Sequence, residues 1–313
     1  MNRHTTPGQI LIAQDGSTVA TQQEKAVDIA IGVVRDAFAY THGEQLYIAF
    51  SGGKDSVVLR DVVIRAAELE KVPLHQFAEF HYHITGIDPP PLIYFMRREF
   101  GNIRLGTGDL HWNMYEKSMW KLIEEKGPPT RIRRFCCEYL KEKGGTDRHC
   151  CTGVRWAESN NRANNRATHE ILGKRSDKKM LFNDNDEFRR QFEICSAKHK
   201  YVHNPIVHFT DDNVWEYIHD RKLPYCELYD QGYERLGCIG CPMATAKRKQ
   251  ELEEYPGFKN LYIMAFDRFI KNRKEWLDYY NWHTGQDAFD WWMDDRNMDK
   301  PLPGQLEWED MEW

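Results

Sequence analysis

The feature that most restricts what this chain can fold into is six residues long. Ser51-Gly52-Gly53-Lys54-Asp55-Ser56 follows directly on Leu46 to Phe50, a short and almost wholly apolar run, and leads directly into Val57 to Glu70, which reads as a helix. A strand that is apolar on both faces belongs inside a parallel sheet. A glycine-bearing turn between such a strand and a helix lets the backbone approach a ligand closely and presents the free N–H groups and positive end of the helix. That combination receives an anion. Lys54 adds a point charge, and Ser51 and Ser56 add hydroxyl donors. The spacing differs from the GxxxxGK[ST] loop of kinases and GTPases.

The rest of the pattern extends this unit into a sheet. Gln22 to Tyr40 reads as a helix with Ala26, Ile29, Ala30, Val33, Val34 and Phe38 on its apolar face. Gln76 to His83 reads as a second strand and Pro91 to Phe100 as another helix. This βαβα alternation predicts an α/β fold with a doubly wound, mainly parallel sheet and a helical, cysteine-containing C-terminal part. His111 to Glu125 is expected to be helical, Cys150 to Val154 a strand, and Trp156 to Leu172 a helix or loop-helix. Lys174 to Arg190 is expected to be an exposed loop. Asp211 to Asp220 reads as a helix capped by Thr210, and Leu252 to Tyr280 as a long helical pattern interrupted near Pro256. The expected organisation is an N-terminal arm over 1–21, a nucleotide-binding α/β domain over 22–210, a helical cysteine-loop region over 211–286 and an acidic, tryptophan-rich tail over 287–313.

Composition excludes some classes of function. No apolar run approaches the roughly 20 residues that span a bilayer, and Met1 to Lys25 is polar without a signal-peptide core, so a cytoplasmic protein with no membrane partner is expected. The net charge is 43 − 48 = −5, so any nucleic-acid surface is a local patch. Arg162, Arg166, Lys174, Arg175, Lys178 and Lys179 form a basic stretch that would serve; a solvated loop is the plainer reading of it. The tail from Asp287 holds nine acids against two bases and four tryptophans, Trp291, Trp292, Trp308 and Trp313, which suits a flap packed on the body.

The eight cysteines are clustered. In a reducing compartment such clusters point to metal or redox chemistry rather than to disulfides. Cys136-Cys137 and Cys238-Ile239-Gly240-Cys241 offer four thiolates, suited to one metal ion or to a cluster. Gly237 and Gly240 allow a tight turn there, and Arg131, Arg133 and Arg134 would offset its negative charge. Cys150-Cys151 falls within a strand and reads as core, as do the lone Cys195 and Cys226.

With these segments in view, the sequence resembles the phosphoadenosine phosphosulfate (PAPS) reductase family of the adenine nucleotide alpha-hydrolase, or PP-loop ATP pyrophosphatase, superfamily. Ser51 to Ser56 is similar to its pyrophosphate loop. Thr85-Gly86-Ile87-Asp88-Pro89-Pro90 resembles its segment after the second strand, near the nucleotide. Thr152-Gly153-Val154-Arg155-Trp156-Ala157-Glu158-Ser159 with Arg162 resembles its G-x-R-x-x-E-S-x-x-R motif. Asn204-Pro205-Ile206 through Val214-Trp215, Leu223-Pro224-Tyr225 and Leu228-Tyr229 resembles its approach to the late cysteines. The likeness runs from about Leu46 to Cys241 and omits the arm and the tail.

The resemblance implies ATP and magnesium as ligands. Ser51, Gly52, Gly53, Lys54, Asp55, Ser56, Thr85, Gly86, Gly153, Arg155 and Arg162 would bind the nucleotide, and Lys54, Asp55, Arg155 and Glu158 would act in catalysis. Lys54 and Arg155 are expected as solvent-reachable cations beside phosphate, and Glu158 as the carboxylate that orients an arginine or binds a magnesium-bound water. Cys136, Cys137, Cys238 and Cys241 would hold a [4Fe–4S] cluster, with a structural zinc as the alternative. The family's reductases attack the sulfonate with a late cysteine, and no cysteine follows Cys241 here. The resemblance therefore points to the ATP-pyrophosphatase branch of the family, such as the proteins of DNA phosphorothioation systems, as the expected nearest branch. The expected function is adenylation of an acceptor, such as a nucleic acid, for sulfur transfer, with a cysteine desulfurase as sulfur donor. The alternatives are an APS/PAPS reductase whose thiol comes in trans, and a non-catalytic nucleotide-binding redox sensor.

Overall fold

The computed structural model describes residues 11–12, 18–19, 22–101, 108–142, 144–158, 160–172, 180–182, 200–244, 247–272 and 281–298. Its strands are β1 (Leu11–Ile12), β2 (Thr18–Val19), β3 (Leu46–Ala49), β4 (Ala78–Ile84), β5 (Leu110–Met114), β6 (His149–Cys151), β7 (His169–Leu172), β8 (Met180–Phe182) and β9 (Lys200–His203). β1 and β2 form a short antiparallel pair. The other seven form one sheet in the order β5-β4-β3-β6-β9-β7-β8. β3 runs parallel to β4 and β6, and β6 parallel to β9, whereas β7 is antiparallel to both β9 and β8. The expected mainly parallel, doubly wound sheet is therefore present, with an antiparallel edge. The strand that precedes the glycine turn lies inside the sheet, which is why Leu46 to Ile48 are all buried.

The chain gathers into two compact units that interleave along the sequence. The first takes residues up to Tyr82, then Tyr94–His111 and Gly145–Gly232; the second takes His83–Ile93, Trp112–Gly144 and the chain from Tyr233. A linear boundary at 210 would divide the chain differently, because parallel strands need long crossovers and the chain leaves and re-enters the first unit between strands.

In the first unit the Gln22–Ala39 and Lys54–Glu70 helices pack together and bury Ala30, Val34, Val58, Val62 and Val63 completely. The Asp211–Asp220 helix is bolted to the same Lys54–Glu70 helix through a buried carboxylate. Asp61 accepts hydrogen bonds from Tyr217 Oη at 2.6 Å and from Arg221 Nε and Nη2 at 3.0 and 3.1 Å. Cys150, Cys151 and Cys226 are buried here, as the core reading expects; Cys195 lies outside the described residues.

In the second unit the Met119–Lys126, Pro256–Asn272 and Gly285–Met293 helices close a core of Leu122, Ile123, Phe266, Phe269, Phe289 and Trp292. Trp292 Nε1 donates to Pro129 O at 2.6 Å, which satisfies the one polar atom of the indole. The packing expected of the tail holds for Trp292; Trp308 and Trp313 lie outside the described residues.

One expected helix is corrected. His111 to Glu125 is not continuous: β5 ends at Met114, and a helix starts at Met119 behind Ser118, whose Oγ accepts from Lys121 N at 3.3 Å. Trp156 to Leu172 also divides, into a short turn, the Asn160–Asn165 helix and β7. Of Lys174 to Arg190, the part described is β8, which pairs with β7 rather than looping out.

Candidate functional site

The six-residue turn is built as its sequence demands. Gly52 takes φ 75°, a left-handed conformation that costs glycine little. Gly53 is extended and starts the helix without a side-chain cap. Val57 N makes the first bond of the helix, to Gly53 O at 3.1 Å, so the N–H groups of Lys54, Asp55 and Ser56 lie ahead of the intrahelical ladder. Lys54 N donates to Tyr229 Oη at 2.9 Å. Ser56 Oγ donates to Gly53 O at 2.8 Å and lies 3.3 Å from Ser51 Oγ. Gly153 backs onto the same helix start: a Cβ there would sit 3.3 Å from Asp55 O and 3.4 Å from Ser56 N. The bare glycine lets the Thr152-Gly153 turn pass this close to the helix start.

Beside the loop, two cations and two carboxylates interlock. Arg155 Nε lies 2.6 Å from Asp55 Oδ1 and Nη2 2.8 Å from Asp211 Oδ1, while Nη1 donates to Phe209 O at 3.2 Å. Lys54 Nζ lies 3.6 Å from Asp211 Oδ1 and 3.8 Å from Asp55 Oδ2. Burial works against ionising Asp211, but the hydrogen bond and charge of Arg155, with Lys54, hold its carboxyl below the usual range. Burial likewise opposes the Arg155 charge, and Asp55 and Asp211 more than compensate. The Thr210 capping box fixes where Asp211 begins its helix, and the Asp61 bolt fixes that helix against Lys54.

The expectation of solvent-reachable cations is corrected here. Arg155 is 1% exposed and Lys54 7%. A buried guanidinium is tolerated only when paired, and its partners come from positions 55 and 211, far from it in sequence. Arg155 thus holds two carboxylates in place. Glu158 accepts a hydrogen bond from the backbone N–H of Arg155 at 3.1 Å and pairs with the Arg162 guanidinium. Of the basic stretch, Arg162 pairs with Glu158 and Arg166 with the fully buried Glu170; Lys174, Arg175, Lys178 and Lys179 lie outside the described residues, as does Ser159.

Asn204 organises the strand ends beside the loop, a role that its residue type and sequence position do not reveal. Its Nδ2 donates to Ala167 O at 2.7 Å and Glu170 Oε1 at 2.9 Å, and its Oδ1 accepts from the Thr152 hydroxyl. This fully buried amide knots the ends of β6, β7 and β9 and so fixes the Thr152-Gly153 turn.

The second unit holds the four cysteines singled out from the sequence. Cys136 and Cys137 close a single helical turn, with Cys137 N donating to Arg134 O at 2.9 Å. Cys238 and Cys241 share a tight turn, with Cys241 N donating to Cys238 O at 3.2 Å. Gly240 has φ 71°, and a Cβ on it would lie 3.3 Å from each of Leu252, Tyr262 and Trp292. Its N–H donates to Glu251 Oε2 at 2.9 Å, and Tyr262 Oη donates to Ile239 O at 2.9 Å. Gly237 takes no left-handed φ and meets nothing, so the turn depends on Gly240. The Thr85 to Asp88 segment abuts this loop: Ile239 N donates to Ile87 O at 2.8 Å, and Cys238 Sγ lies 3.8 Å from Thr85 Oγ1.

The thiols sense one another. A hydrogen bond from Cys136, joined by one from Arg134, brings Cys137 down to about 6, and Cys136 rises through that bond, through burial and through the charges of Cys137, Cys238 and Cys241. Burial raises Cys238 to about 11 against the pull of Lys141. Lys141 rises in turn, chiefly through the charge of Cys238. Of the three arginines expected to balance charge, Arg134 faces Cys137, whereas Arg131 reaches Pro242 O and Arg133 Lys126 O. Lys141 was missed, although it stands four residues after Cys137 and so shares its helix face.

Among the described residues no three His, Cys, Asp or Glu side chains converge as the ligands of a single ion would. An all-thiol donor set with cationic neighbours suits a soft metal centre, either an iron–sulfur cluster or a zinc ion. No helix of the described residues is long and apolar enough to cross a membrane.

Comparison with known proteins gives a family and distant kin. The model of the phosphoadenosine phosphosulfate reductase domain matches residues 45–244. The uncharacterised protein MJ0066 of Methanocaldococcus jannaschii is 25% identical over 241 residues, 72% of this chain and 42% of that protein. The adenosine 5'-phosphosulfate reductase of Staphylococcus haemolyticus is 25% identical over 207 residues, 64% of this chain and 72% of that one. The chain spans less than half of MJ0066 and of its relative MJ0973, at 42% and 49%. Among solved structures, the U34-tRNA thiolase NcsA from Methanococcus maripaludis with its [4Fe-4S] cluster aligns at TM-score 0.41 and 11% identity, over 85% of this chain and 83% of that one. The PAPS reductase from Candida auris aligns at TM-score 0.40 and 15% identity, over 71% and 98%.

Proposed function

Because this chain belongs to the phosphoadenosine phosphosulfate reductase domain family, we propose that it is an ATP pyrophosphatase that adenylates an acceptor for sulfur transfer. The observation that carries this reading is the helix start of Lys54, Asp55 and Ser56, approached closely by the bare Gly153 and flanked by the Lys54–Asp55–Arg155–Asp211 cluster. In the proposed reaction the loop N–H groups and the Lys54 ammonium bind the distal phosphates. They take up the charge that develops on pyrophosphate as it leaves. Asp55 and Asp211 would supply carboxylate oxygens for magnesium, which is commonly held by one or two carboxylates together with substrate phosphates. An acceptor oxygen attacks the α-phosphorus, the bond to pyrophosphate breaks, and the acceptor carries AMP. A sulfur nucleophile then displaces AMP.

Cys136, Cys137, Cys238 and Cys241 would hold a [4Fe–4S] cluster, which when bound supplies a site for holding or relaying sulfur. The acceptor we propose is a nucleic acid, as in DNA phosphorothioation, with a cysteine desulfurase as donor. Its support is the basic stretch from Arg162 to Lys179 in the sequence. Anaerobic protein given ATP, magnesium and candidate acceptors should release pyrophosphate and AMP in step with label transfer; no pyrophosphate with any acceptor sinks the reading.

A second reading is favoured by the relatives named adenosine 5'-phosphosulfate reductase. The same loop would seat a sulfonucleotide, and a thiol supplied in trans would attack the sulfonate. Sulfite released from adenosine phosphosulfate with a thiol-reducing partner, without pyrophosphate from ATP, would select it.

A further inference from the structure

Tyr229 closes a 3-10 turn, Glu227–Tyr229, whose neighbours Cys226 and Leu228 are buried. Its ring meets the Trp215 ring edge-on at 5.2 Å, and the Lys54 ammonium stands 5.7 Å from its centroid. The phenol oxygen reaches the phosphate loop. It accepts the first N–H of the helix, from Lys54, at 2.9 Å, and a Cβ on Gly53 would lie only 3.4 Å from it. A side chain 175 residues from Lys54 thus ends at the helix terminus where an anion would bind.

A phenol has one proton to give besides its lone pairs. In Tyr229 a lone pair is used by the loop, and the structure assigns the O–H no protein acceptor among the described residues. A hydroxyl that accepts from a polarised helix N–H becomes a stronger donor through the same oxygen. Burial raises the phenol well above its usual range, so the proton stays in place at neutral pH. A donor held against the loop by its own oxygen is placed to serve an oxyanion.

We propose that Tyr229 is a ligand-contacting residue, whose hydroxyl, anchored on Lys54 N, donates a hydrogen bond to a distal phosphate oxygen of a nucleotide seated on the loop. This rests on the nucleotide reading above and adds to it a contact from outside the loop motif. It also assigns the contact to the distal phosphates, so that a nucleoside monophosphate would not gain from it.

Titration of wild type and Tyr229→Phe with magnesium ATP, pyrophosphate and AMP tests this, with a melting curve for each protein. The expected result is about ten-fold weaker binding of ATP and pyrophosphate by the phenylalanine variant, with AMP affinity and melting temperature unchanged. Tyr229→Trp keeps an aromatic donor without an acceptor and should regain part of the pyrophosphate affinity. Equal ATP and pyrophosphate affinities in wild type and Tyr229→Phe overturn the inference alone. So do a matching loss for AMP or a marked fall in melting temperature, which would mark Tyr229 as structural. Failure of wild type to bind either ATP or pyrophosphate removes the nucleotide reading, and the inference with it.

Discussion

The phosphate loop and the cysteine loop are both built around glycine turns, yet they balance charge in opposite ways. At the phosphate loop each cation already has a carboxylate: Lys54 and Arg155 share Asp55 and Asp211. The protein completes that cluster from its own residues. At the cysteine loop the thiols crowd one another, and Arg134 and Lys141 face sulfur. That set is balanced only when several thiolates and a centre they bind are counted together. The difference implies that the first site keeps its shape when empty, whereas the second depends on what it holds.

The largest effect expected is therefore at the second site. Cys238→Ser should abolish the cluster, taking iron and sulfide from four each per chain to none, because a serine oxygen is a poor replacement for a soft thiolate. Anaerobic iron and sulfide analysis checks this. Full iron in the variant, or zinc alone in the wild type, would break the comparison.

At the first site the largest expected effect is on folding. Arg155→Ala leaves Asp55 and Asp211 facing each other without their shared guanidinium. Removing one member of a buried pair costs about 3–5 kcal/mol; Asp211 is 62% exposed on its side chain and is screened, so about 2–3 kcal/mol is expected. Urea unfolding measures it. Lys54→Ala, by contrast, should unfold near the wild-type midpoint and lose about ten-fold in ATP affinity, equivalent to roughly 1.4 kcal/mol. Equal stability losses in both would remove the distinction between the positioning arginine and the binding lysine.

How legible each region was follows from how local its causes are. The loop, its strand and its helix were readable because six adjacent residues specify them. The four cysteines were readable as two short motifs. Arg155 was found as a residue and misjudged as an exposed cation, because its burial is decided by Asp55 and Asp211, one hundred and fifty-six residues apart. Lys141 was missed beside the Cys136-Cys137 pair, and nothing local marks Tyr229; a turn pattern says nothing about where a phenol ends. β5 was read as helix because an edge strand buries little of its pattern: only Leu110 of its five residues is buried. The stop and restart at Ser118 was a capping signal that periodicity passed over.

A third effect separates the units by pH. In the first, His203 is fully buried, with Nε2 3.0 Å from His149 Nδ1 and Nδ1 2.7 Å from His169 Nδ1. Burial lowers His149 to about 4 and, with the neighbouring imidazoles, takes His203 well below its usual value. Because the native values lie below the unfolded one, the unfolded chain takes up protons first as pH falls. The stabilisation is complete above about pH 6.5 and is lost progressively on acidification to about pH 4 and below. Urea midpoints at pH 7, 5.5 and 4 should show the loss, and His203→Gln should flatten the slope. A slope unchanged in the variant would place the acid sensitivity elsewhere.

The smallest effects make the sharpest comparison, since one substitution can be made in both regions. Gly240→Ala forces a methyl group into a left-handed backbone and against three core side chains at 3.3 Å. It should cost about 1–2 kcal/mol in stability and leave ATP affinity alone. Gly153 needs no left-handed φ, so alanine fits its backbone, and the loss of unfolded-state freedom offsets part of any crowding. Its methyl would instead press on Asp55 O and Ser56 N, backbone atoms that cannot swing aside as a side chain can. Gly153→Ala should therefore fold within about 0.5 kcal/mol of wild type and bind ATP several-fold more weakly, a change that titration and unfolding on the same sample resolve. If Gly153→Ala destabilises while its affinity holds, the glycine serves packing, and the helix start of Lys54 to Ser56 is not where the phosphate sits.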